Sequence, residues 1–190
     1  MSQPQKPKPV KLVIGLFMKD QGLLEPVAEV LTEKFGPLEV VGPWFAFNFT
    51  DYYAPEMGRP LFRRILAFKN LIGQDELAAI KIATNQIEQR YLKQGKRQVN
   101  IDPGYLSHER LVLATGKNYA HRIYIGQGVY ADLTLIYSAG AFRPLAWTYP
   151  DYRENKMAAL LDRIRRKYCA DLQQRFQLSQ SRAGPNENIL

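Results

Sequence analysis

The order of apolar segments along the first half of the chain limits the folds that are open to it. Strand-like segments at residues 11–17, 41–50, 61–68 and 99–101 are interrupted by two segments with apolar residues at helical spacing. The two helical stripes consist of Leu24, Val27, Leu31 and Phe35, and of Leu77, Ile80, Thr84, Ile87 and Tyr91. The resulting order, βαββαβ, predicts an α/β protein of the α+β type with a ferredoxin-like core and a largely antiparallel sheet.

A hairpin and a helix extend this core. Residues 120–125 and 129–137 alternate as strands do and flank a Gly-Gln-Gly sequence, which predicts a β-hairpin with a three-residue turn. If the apolar side that includes Ile123 is buried, Arg122 lies opposite Asp132 on the other side. The C-terminal amphipathic helix is predicted from apolar residues at helical spacing: Met157, Leu161, Ile164, Tyr168, Leu172 and Phe176.

The chain of 190 residues is long enough for one well-filled core. We expect a disordered lead-in at residues 1–9, a single globular domain at residues 10–176 and a frayed tail at residues 177–190. No apolar run reaches the roughly 18–20 residues of a membrane span, and the N-terminal sequence lacks the pattern of a secretory signal. We therefore expect a cytoplasmic protein without a membrane partner, and the sequence does not determine the oligomeric state.

Composition and motifs exclude several chemistries. The single cysteine, Cys169, excludes a disulfide framework and a multi-cysteine zinc site, and two histidines exclude a histidine-rich metal site. Gly116-Lys117 lacks the preceding glycine and the following Ser or Thr of a phosphate-binding loop. The net charge of +8 is compatible with RNA or with a smaller anion.

Polar residues gather in four short segments, two of which lie in the first 106 residues. The first supplies Asp51, Tyr52 and Glu56 at the end of a strong strand, where binding residues are common. The second supplies Asn100 and Asp102. The sequence Asp-Pro-Gly-Tyr that begins at position 102 predicts a type II turn. Turn formation alone would explain Asp102 and the Pro-Gly pair, but it would not explain Asn100.

The other two segments supply cations and aromatic rings. Lys117, His121 and Arg122 come before and at the start of the predicted hairpin. Because His121 alternates with the apolar residues of the hairpin, we expect a core histidine, with a catalytic base as the alternative. The fourth segment supplies the aromatic and charged residues Trp147, Tyr149, Asp151 and Arg153, either as a ligand lid or as a strap packed over the sheet.

The four segments also resemble a known family. The sequences at residues 49–53, 100–105, 121–124 and 147–152 are similar to those of the bacterial family described as domain of unknown function 4416. The resemblance covers residues 10–170 and implies a cytosolic bacterial protein. It does not imply a reaction.

Our leading hypothesis is a protein that binds or acts on an anionic molecule, either nucleotide-like or phosphorylated. Asp51, Asp102 and His121 are the catalytic candidates, and Asn100 would supply hydrogen bonds beside Asp102. Lys117, Arg122 and Arg153 would bind the anion, and Tyr52, Tyr149 or Trp147 would stack on a ring. The carboxylates Asp51, Glu56, Asp102 and Asp132 permit a divalent cation such as Mg²⁺, although their spacing does not require one. An RNA-binding module and a structural or protein-interaction domain are the alternatives.

Overall fold

One large antiparallel sheet forms the centre of the protein. The computed structural model describes the backbone of residues 1–182 and the side chains of residues 1–178. The nine strands of the sheet are β1 (Val10–Met18), β2 (Leu38–Val41), β3 (Phe45–Phe47), β4 (Leu61–Ile72), β7 (Val99–Leu106), β8 (Arg110–Thr115), β9 (Arg122–Gly126), β10 (Val129–Ser138) and β11 (Ala141–Pro144). A separate two-stranded ribbon is formed by β5 (Leu92–Lys93) and β6 (Lys96–Arg97). The predicted α+β class and antiparallel sheet are confirmed, and the sheet is larger than the four strands of the predicted core.

The strands are arranged in the order β11-β10-β8-β7-β1-β4-β2. Two further strands complete the edges, because β3 pairs with the beginning of β4 and β9 pairs with the beginning of β10. Strands β2, β4, β1 and β7 come from residues 10–106 and occupy adjacent positions. The predicted hairpin of β9 and β10 lies at the opposite edge.

Helices cover both faces of the sheet. The helices are α1 (Leu24–Phe35), α2 (Ala54–Met57), α3 (Leu77–Arg90) and α4 (Asn155–Arg182). Alternate side chains of β1 separate the two layers, since Ile14 packs in a cluster with α1 and α3, whereas Val13 packs in a cluster with α4. The apolar stripes predicted from the sequence supply both clusters, with Leu31 and Ile80 on one face and Ile164 on the other.

Strands β7 and β8 separate after a short junction. They pair only where residues 104–106 meet residues 111–113, whereas β7 continues along β1 as far as Val99. Beyond the junction, β8 pairs with β10 alone. The sheet is therefore open between the first half of β7 and the end of β8.

The predicted type II turn at residues 102–105 is wrong. These residues lie inside β7, where Pro103 is opposite Ile14 of β1. Proline is tolerated there because β7 has no second neighbouring strand at that position. Gly104 is at the junction with β8, and a Cβ atom added to it would lie 2.4 Å from the carbonyl oxygen of Val112. The Pro-Gly sequence thus marks the opening between strands instead of a turn.

The predicted hairpin register is confirmed, and the predicted apolar side is buried in part, because Val129 lies in an apolar cluster against which Ile125, Ala131 and Leu133 pack. The prediction fails at Ile123 and for the opposite side, which is buried as well. Arg122 lies opposite Asp132, as expected. These two charged residues are buried, whereas Ile123 is 69% exposed. The turn also differs, because Val129 lies opposite Gly126 and a bulge follows. Arg122 and Asp132 can be buried because each charge is satisfied by the other. Residues 147–153 cover the pair, and the Tyr149 hydroxyl accepts a hydrogen bond from Arg122.

The structure describes the predicted lead-in and part of the predicted tail. Residues 1–9 contain neither helix nor strand. Helix α4 does not end near residue 176, where fraying was predicted to begin, and continues to Arg182. Residues 183–190, the rest of the predicted tail, lie outside the described residues. Among residues 1–182, no helix is both long and apolar enough to cross a membrane.

Candidate functional site

A polar cleft lies where β7 and β8 separate. Its main lobe has a volume of about 420 Å³, and a neighbouring lobe of about 320 Å³ shares part of its lining. The ends of β3, β4, β7, β8 and β10 all contribute to the main lobe, together with α3 and residues 149–152. Tyr52, Lys117, Tyr149 and Asp151 line both lobes.

A buried arginine lies at the centre of the site. Arg63 projects from β4 and forms an ion pair with Asp151, whose side chain is also buried. Its guanidinium carbon lies 5.0 Å from the ring centroids of Phe47 and Tyr152, which places it between aromatic rings. Burial raises the pKa of the Tyr152 hydroxyl, so this group remains protonated. Arg63 Nε and the Tyr152 hydroxyl are both buried and have no hydrogen-bond partner among the described residues, which is unusual for polar atoms inside a protein.

A chain of polar contacts leads to Asp102. Glu56 accepts two hydrogen bonds from Arg97, at 2.7 and 2.6 Å, and these bonds hold the pKa of Glu56 below its ordinary value. Arg97 Nη1 also donates to Asn100 Oδ1 at 2.8 Å. Asn100 Nδ2 in turn donates to Asp102 Oδ2 at 2.8 Å. The buried Asn100 therefore holds the carboxylate of Asp102 in a fixed orientation.

Two side chains of α3 reach through the opening in the sheet. The backbone N–H of Ile101 donates to Glu88 Oε1 at 2.6 Å, and the carbonyl oxygen of Ile101 accepts from Lys81 Nζ at 3.0 Å. These contacts replace the strand that is missing beside this part of β7. Burial raises the pKa of Glu88, while Lys81 opposes the shift. Helix α3 lies on one face of the sheet, and its side chains thus help to form a cleft that extends to the other face.

The second lobe is lined by a buried arginine and by stacked rings. Arg122 Nε donates to Asp132 Oδ2 at 2.9 Å, and Arg122 Nη2 donates to the Tyr149 hydroxyl at 2.7 Å. His121 is not a core residue: its ring stacks on Trp147 at 5.0 Å, and its Nε2 lies 3.4 Å from Asp132 Oδ2. This arrangement corrects the expectation that His121 packs with the apolar residues of the hairpin.

Lys117 occupies the boundary between the lobes. Its Nζ lies 3.9 Å from the ring centroid of Tyr52, and a hydrogen bond from Lys117 lowers the pKa of the Tyr52 hydroxyl. Within the part of the chain that the structure describes, Lys117 forms no ion pair with a carboxylate. The cations Arg63, Lys81, Arg97 and Arg122 each have at least one.

Three of the twelve predicted candidates lie outside the cleft lining. Asp51 is exposed and forms an ion pair with Arg59. Glu56 accepts hydrogen bonds from Arg97, which lines the cleft, but Glu56 itself does not line it. Arg153 donates to the backbone carbonyls of residues 145, 146 and 148, so it stabilises the loop instead of facing a ligand. The other nine line the cleft: Tyr52, Asn100, Asp102, Lys117, His121, Arg122, Trp147, Tyr149 and Asp151.

The four carboxylates considered for a divalent cation are not gathered around one point. Each contacts a different cation: Asp51 contacts Arg59, Glu56 contacts Arg97, Asp102 contacts Lys81 and Asp132 contacts Arg122. Among the described residues, no group of three or more His, Cys, Asp and Glu side chains is arranged to hold a metal ion.

Sequence reasoning missed several residues that build the cleft. Arg63 lies in a strongly apolar strand, and Lys81 and Glu88 fall among the apolar positions of α3. A charged residue at a position whose neighbours are buried requires a partner, and this signal could have identified all three. The signal for Asp132 was its predicted place opposite Arg122.

The fold and the cleft define an α+β protein whose sheet opens to form a site rich in paired charges and aromatic rings. Residues 8–168 match the family model described as Domain of unknown function (DUF4416). The chain therefore belongs to this family, as the four polar segments indicated. Comparisons with curated proteins and with solved structures gave no significant match.

Proposed function

We propose that the protein binds a small anionic molecule, phosphorylated or nucleotide-like, in the two-lobed cleft. The observation that carries this proposal is the position of Lys117, which lines both lobes and has no carboxylate partner among the described residues. The other cations of the cleft are each balanced by an acid. A bound anion would complete the pairing of charges in the site.

Two further features support this proposal. Arg63 lines the main lobe and its buried Nε has no hydrogen-bond partner in the part of the chain that the structure describes, so an anion or a water molecule held by one would supply an acceptor near it. At the rim, the partly exposed rings of Trp147 and Tyr149 offer surfaces on which a planar or apolar part of a ligand can pack. The cleft thus combines cationic and aromatic surfaces within one small volume.

The experiment begins with a thermal-shift screen against nucleotides, phosphorylated metabolites, pyrophosphate and divalent ions. A ligand present at 100 times its Kd adds about 2.7 kcal/mol to the free energy of unfolding, which such a screen detects. Calorimetric titration of pyrophosphate then compares Lys117→Gln with Lys34→Gln, whose lysine is exposed on α1 and lies outside the lining of both lobes.

We expect Lys117→Gln to raise the Kd for pyrophosphate about tenfold, which corresponds to about 1.4 kcal/mol. Lys34→Gln should leave this Kd unchanged. If no anion binds to the wild-type protein, or if both variants bind pyrophosphate as the wild type does, the proposal is wrong.

The ferredoxin-like core forms part of the same proposal. Its support is the order of four adjacent strands, β7-β1-β4-β2, which in chain order reads fourth, first, third, second, together with α1 and α3 on one face. Strands β8, β10, β9 and β11 would then be an extension at the β7 side, whereas β3 pairs with β4 at the other side.

RNA binding has less support as an alternative. Sheets of this topology that bind RNA present aromatic side chains on an open face, whereas α4 covers the face opposite α1 and α3. A titration with single-stranded RNA at two salt concentrations tests this alternative, because binding to phosphates weakens steeply as salt rises. A cytosolic location in a bacterium, implied by the resemblance, is tested by fractionation of cells that contain the protein.

A further inference from the structure

The carboxylates that line the main lobe differ in their exposure. The side chains of Asp132, Asp151 and Glu88 are 3%, 8% and 9% exposed, whereas that of Asp102 is 26% exposed. Asp102 is therefore the carboxylate of this lobe that a ligand can reach with least rearrangement. Its position in the unpaired half of β7 faces the opening in the sheet.

Asp102 also has unused capacity to accept hydrogen bonds. Its Oδ2 accepts from Asn100 at 2.8 Å and its Oδ1 accepts a long bond from Lys81 at 3.4 Å, while Arg63 Nη2 lies 4.0 Å away. Asp132, in contrast, accepts from Arg122 at 2.9 Å and also contacts Thr134 and His121. An ionised carboxylate can accept about four hydrogen bonds, so Asp102 can accept at least one more.

The nearby cations select the kind of donor that can approach. Lys81 and Arg63 both lie within 4.0 Å of the carboxylate, and a third positive charge would be repelled by them. A neutral hydroxyl meets no such repulsion. Tyr53, Tyr149 and Tyr152 line the same lobe, and burial raises the pKa of each, so their hydroxyls remain protonated.

We propose that the ligand is a phosphorylated polyol or sugar, with a hydroxyl that donates to Asp102 while its anionic group binds near Lys117. Asn100 is a positioning residue in this arrangement, because its amide orients Asp102 and is itself oriented by Arg97. This inference rests on the proposed function, since it requires an anion in the cleft, and it adds the hydroxyl as the second recognised group.

The test uses probes that differ only in hydroxyl groups. Sorbitol phosphate is compared with hexyl phosphate, and glycerol phosphate with propyl phosphate, by calorimetric titration of the full chain. The measured quantity is the preference, defined as the Kd of the alkyl phosphate divided by the Kd of its polyol partner. Because each pair shares its phosphate, changes in anion binding cancel in this ratio.

We expect the wild-type protein to prefer the polyol phosphate of at least one pair. Asp102→Ala should lower that preference about tenfold, and Asp102→Asn, which keeps one acceptor oxygen, should restore part of it. The matched control is Asp51→Ala, because it removes an exposed carboxylate outside the cleft and should leave the preference unchanged. Urea unfolding of each variant shows whether it is folded. If Asp102→Ala is not folded, the preference of Asp102→Asn decides the test.

The outcomes separate the two proposals. If alkyl and polyol phosphates bind equally well, or if the preference survives in the Asp102 variants, the inference is overturned while anion binding stands. If none of the four phosphates binds, the inference is overturned as well. Whether the proposed function fails with it is then decided by pyrophosphate and the Lys117 variant.

Discussion

Asn100 Nδ2 donates a 2.8 Å hydrogen bond to Asp102 Oδ2, two residues further along β7. Residues two apart in a strand project from the same side, so their side chains are neighbours by geometry. The direction of this bond is determined by Arg97, which occupies Asn100 Oδ1 and leaves the amide nitrogen for Asp102. A buried amide therefore links the acidic group in the cleft to an ion pair behind it.

Substitution of Asn100 should destabilise the protein. Asn100→Ala leaves one donor of Arg97 and one acceptor of Asp102 without this partner, and we expect the free energy of unfolding to fall by about 1–3 kcal/mol. Urea unfolding measures the change. Gln98→Ala is the control, since Gln98 makes an exposed hydrogen bond to Lys96, and its effect should be within about 0.5 kcal/mol. Equal effects of the two substitutions would contradict the role given to Asn100.

The buried ion pair of Arg122 with Asp132 should contribute far more to the stability of the protein than the exposed pair of Arg59 with Asp51. Arg122→Ala leaves the buried Asp132 without its main partner, and we expect a loss of about 3–5 kcal/mol. Arg59→Ala disrupts the exposed pair with Asp51 and should cost less than about 1 kcal/mol. Thermal and urea unfolding of both variants measure the losses. A small loss for Arg122→Ala would show that its charge is not required for burial of Asp132.

A methyl group should be tolerated at one glycine near the cleft and not at another. In Gly104→Ala, the new Cβ would lie 2.4 Å from Val112 O and 2.7 Å from the Leu113 side chain, so β7 and β8 must move apart. We expect a loss of about 1–3 kcal/mol. Gly116→Ala is the matched control, because a Cβ there meets no atom within 4 Å. Comparable stability of the two variants would mean that the junction is loosely packed.

Glu88 should make stability depend on pH. Burial raises its pKa in the folded protein, so its contribution to stability is present below its unfolded pKa of about 4.3 and is lost as pH rises through the raised pKa. Glu88→Gln removes this titration and retains an oxygen for the N–H of Ile101. The variant should therefore gain stability relative to the wild type as pH rises from about 4 to about 7. Urea unfolding at a series of pH values measures this difference, and a constant difference would contradict the pKa direction.

The sequence predicts α1, α3, α4 and most strands because their apolar residues repeat at the spacing of the element they form. It also predicts the pairing of Arg122 with Asp132, because the alternation in the two strands of a hairpin and the length of its turn determine which residues lie opposite each other. It fails at Asp102-Pro103-Gly104, where local preference favours a turn. The neighbouring strand β1 instead keeps these residues extended, and this tertiary contact has no signature in the local sequence.

The site was predicted in part because its residues cluster in polar segments. Nine of the candidates line the cleft, but Arg153 does not, since nearby carbonyl groups bind its guanidinium. Arg63 and Lys81 escaped notice because each lies within an apolar element, and their role depends on which elements pack together. The opening between β7 and β8 could not be predicted, because it results from where pairing stops.

Mechanically, this opening divides the sheet into two panels. One contains β8, β10, β9 and β11, and the other contains β7, β1, β4, β2 and β3. Three residue pairs between β7 and β8 form the seam between them, while α3 and α4 lie across it. The side chains that line the cleft come from both panels, so the ligand that we propose would contact both sides of the seam. Its binding would then hold the two panels together, and occupancy of the cleft would be coupled to their relative motion.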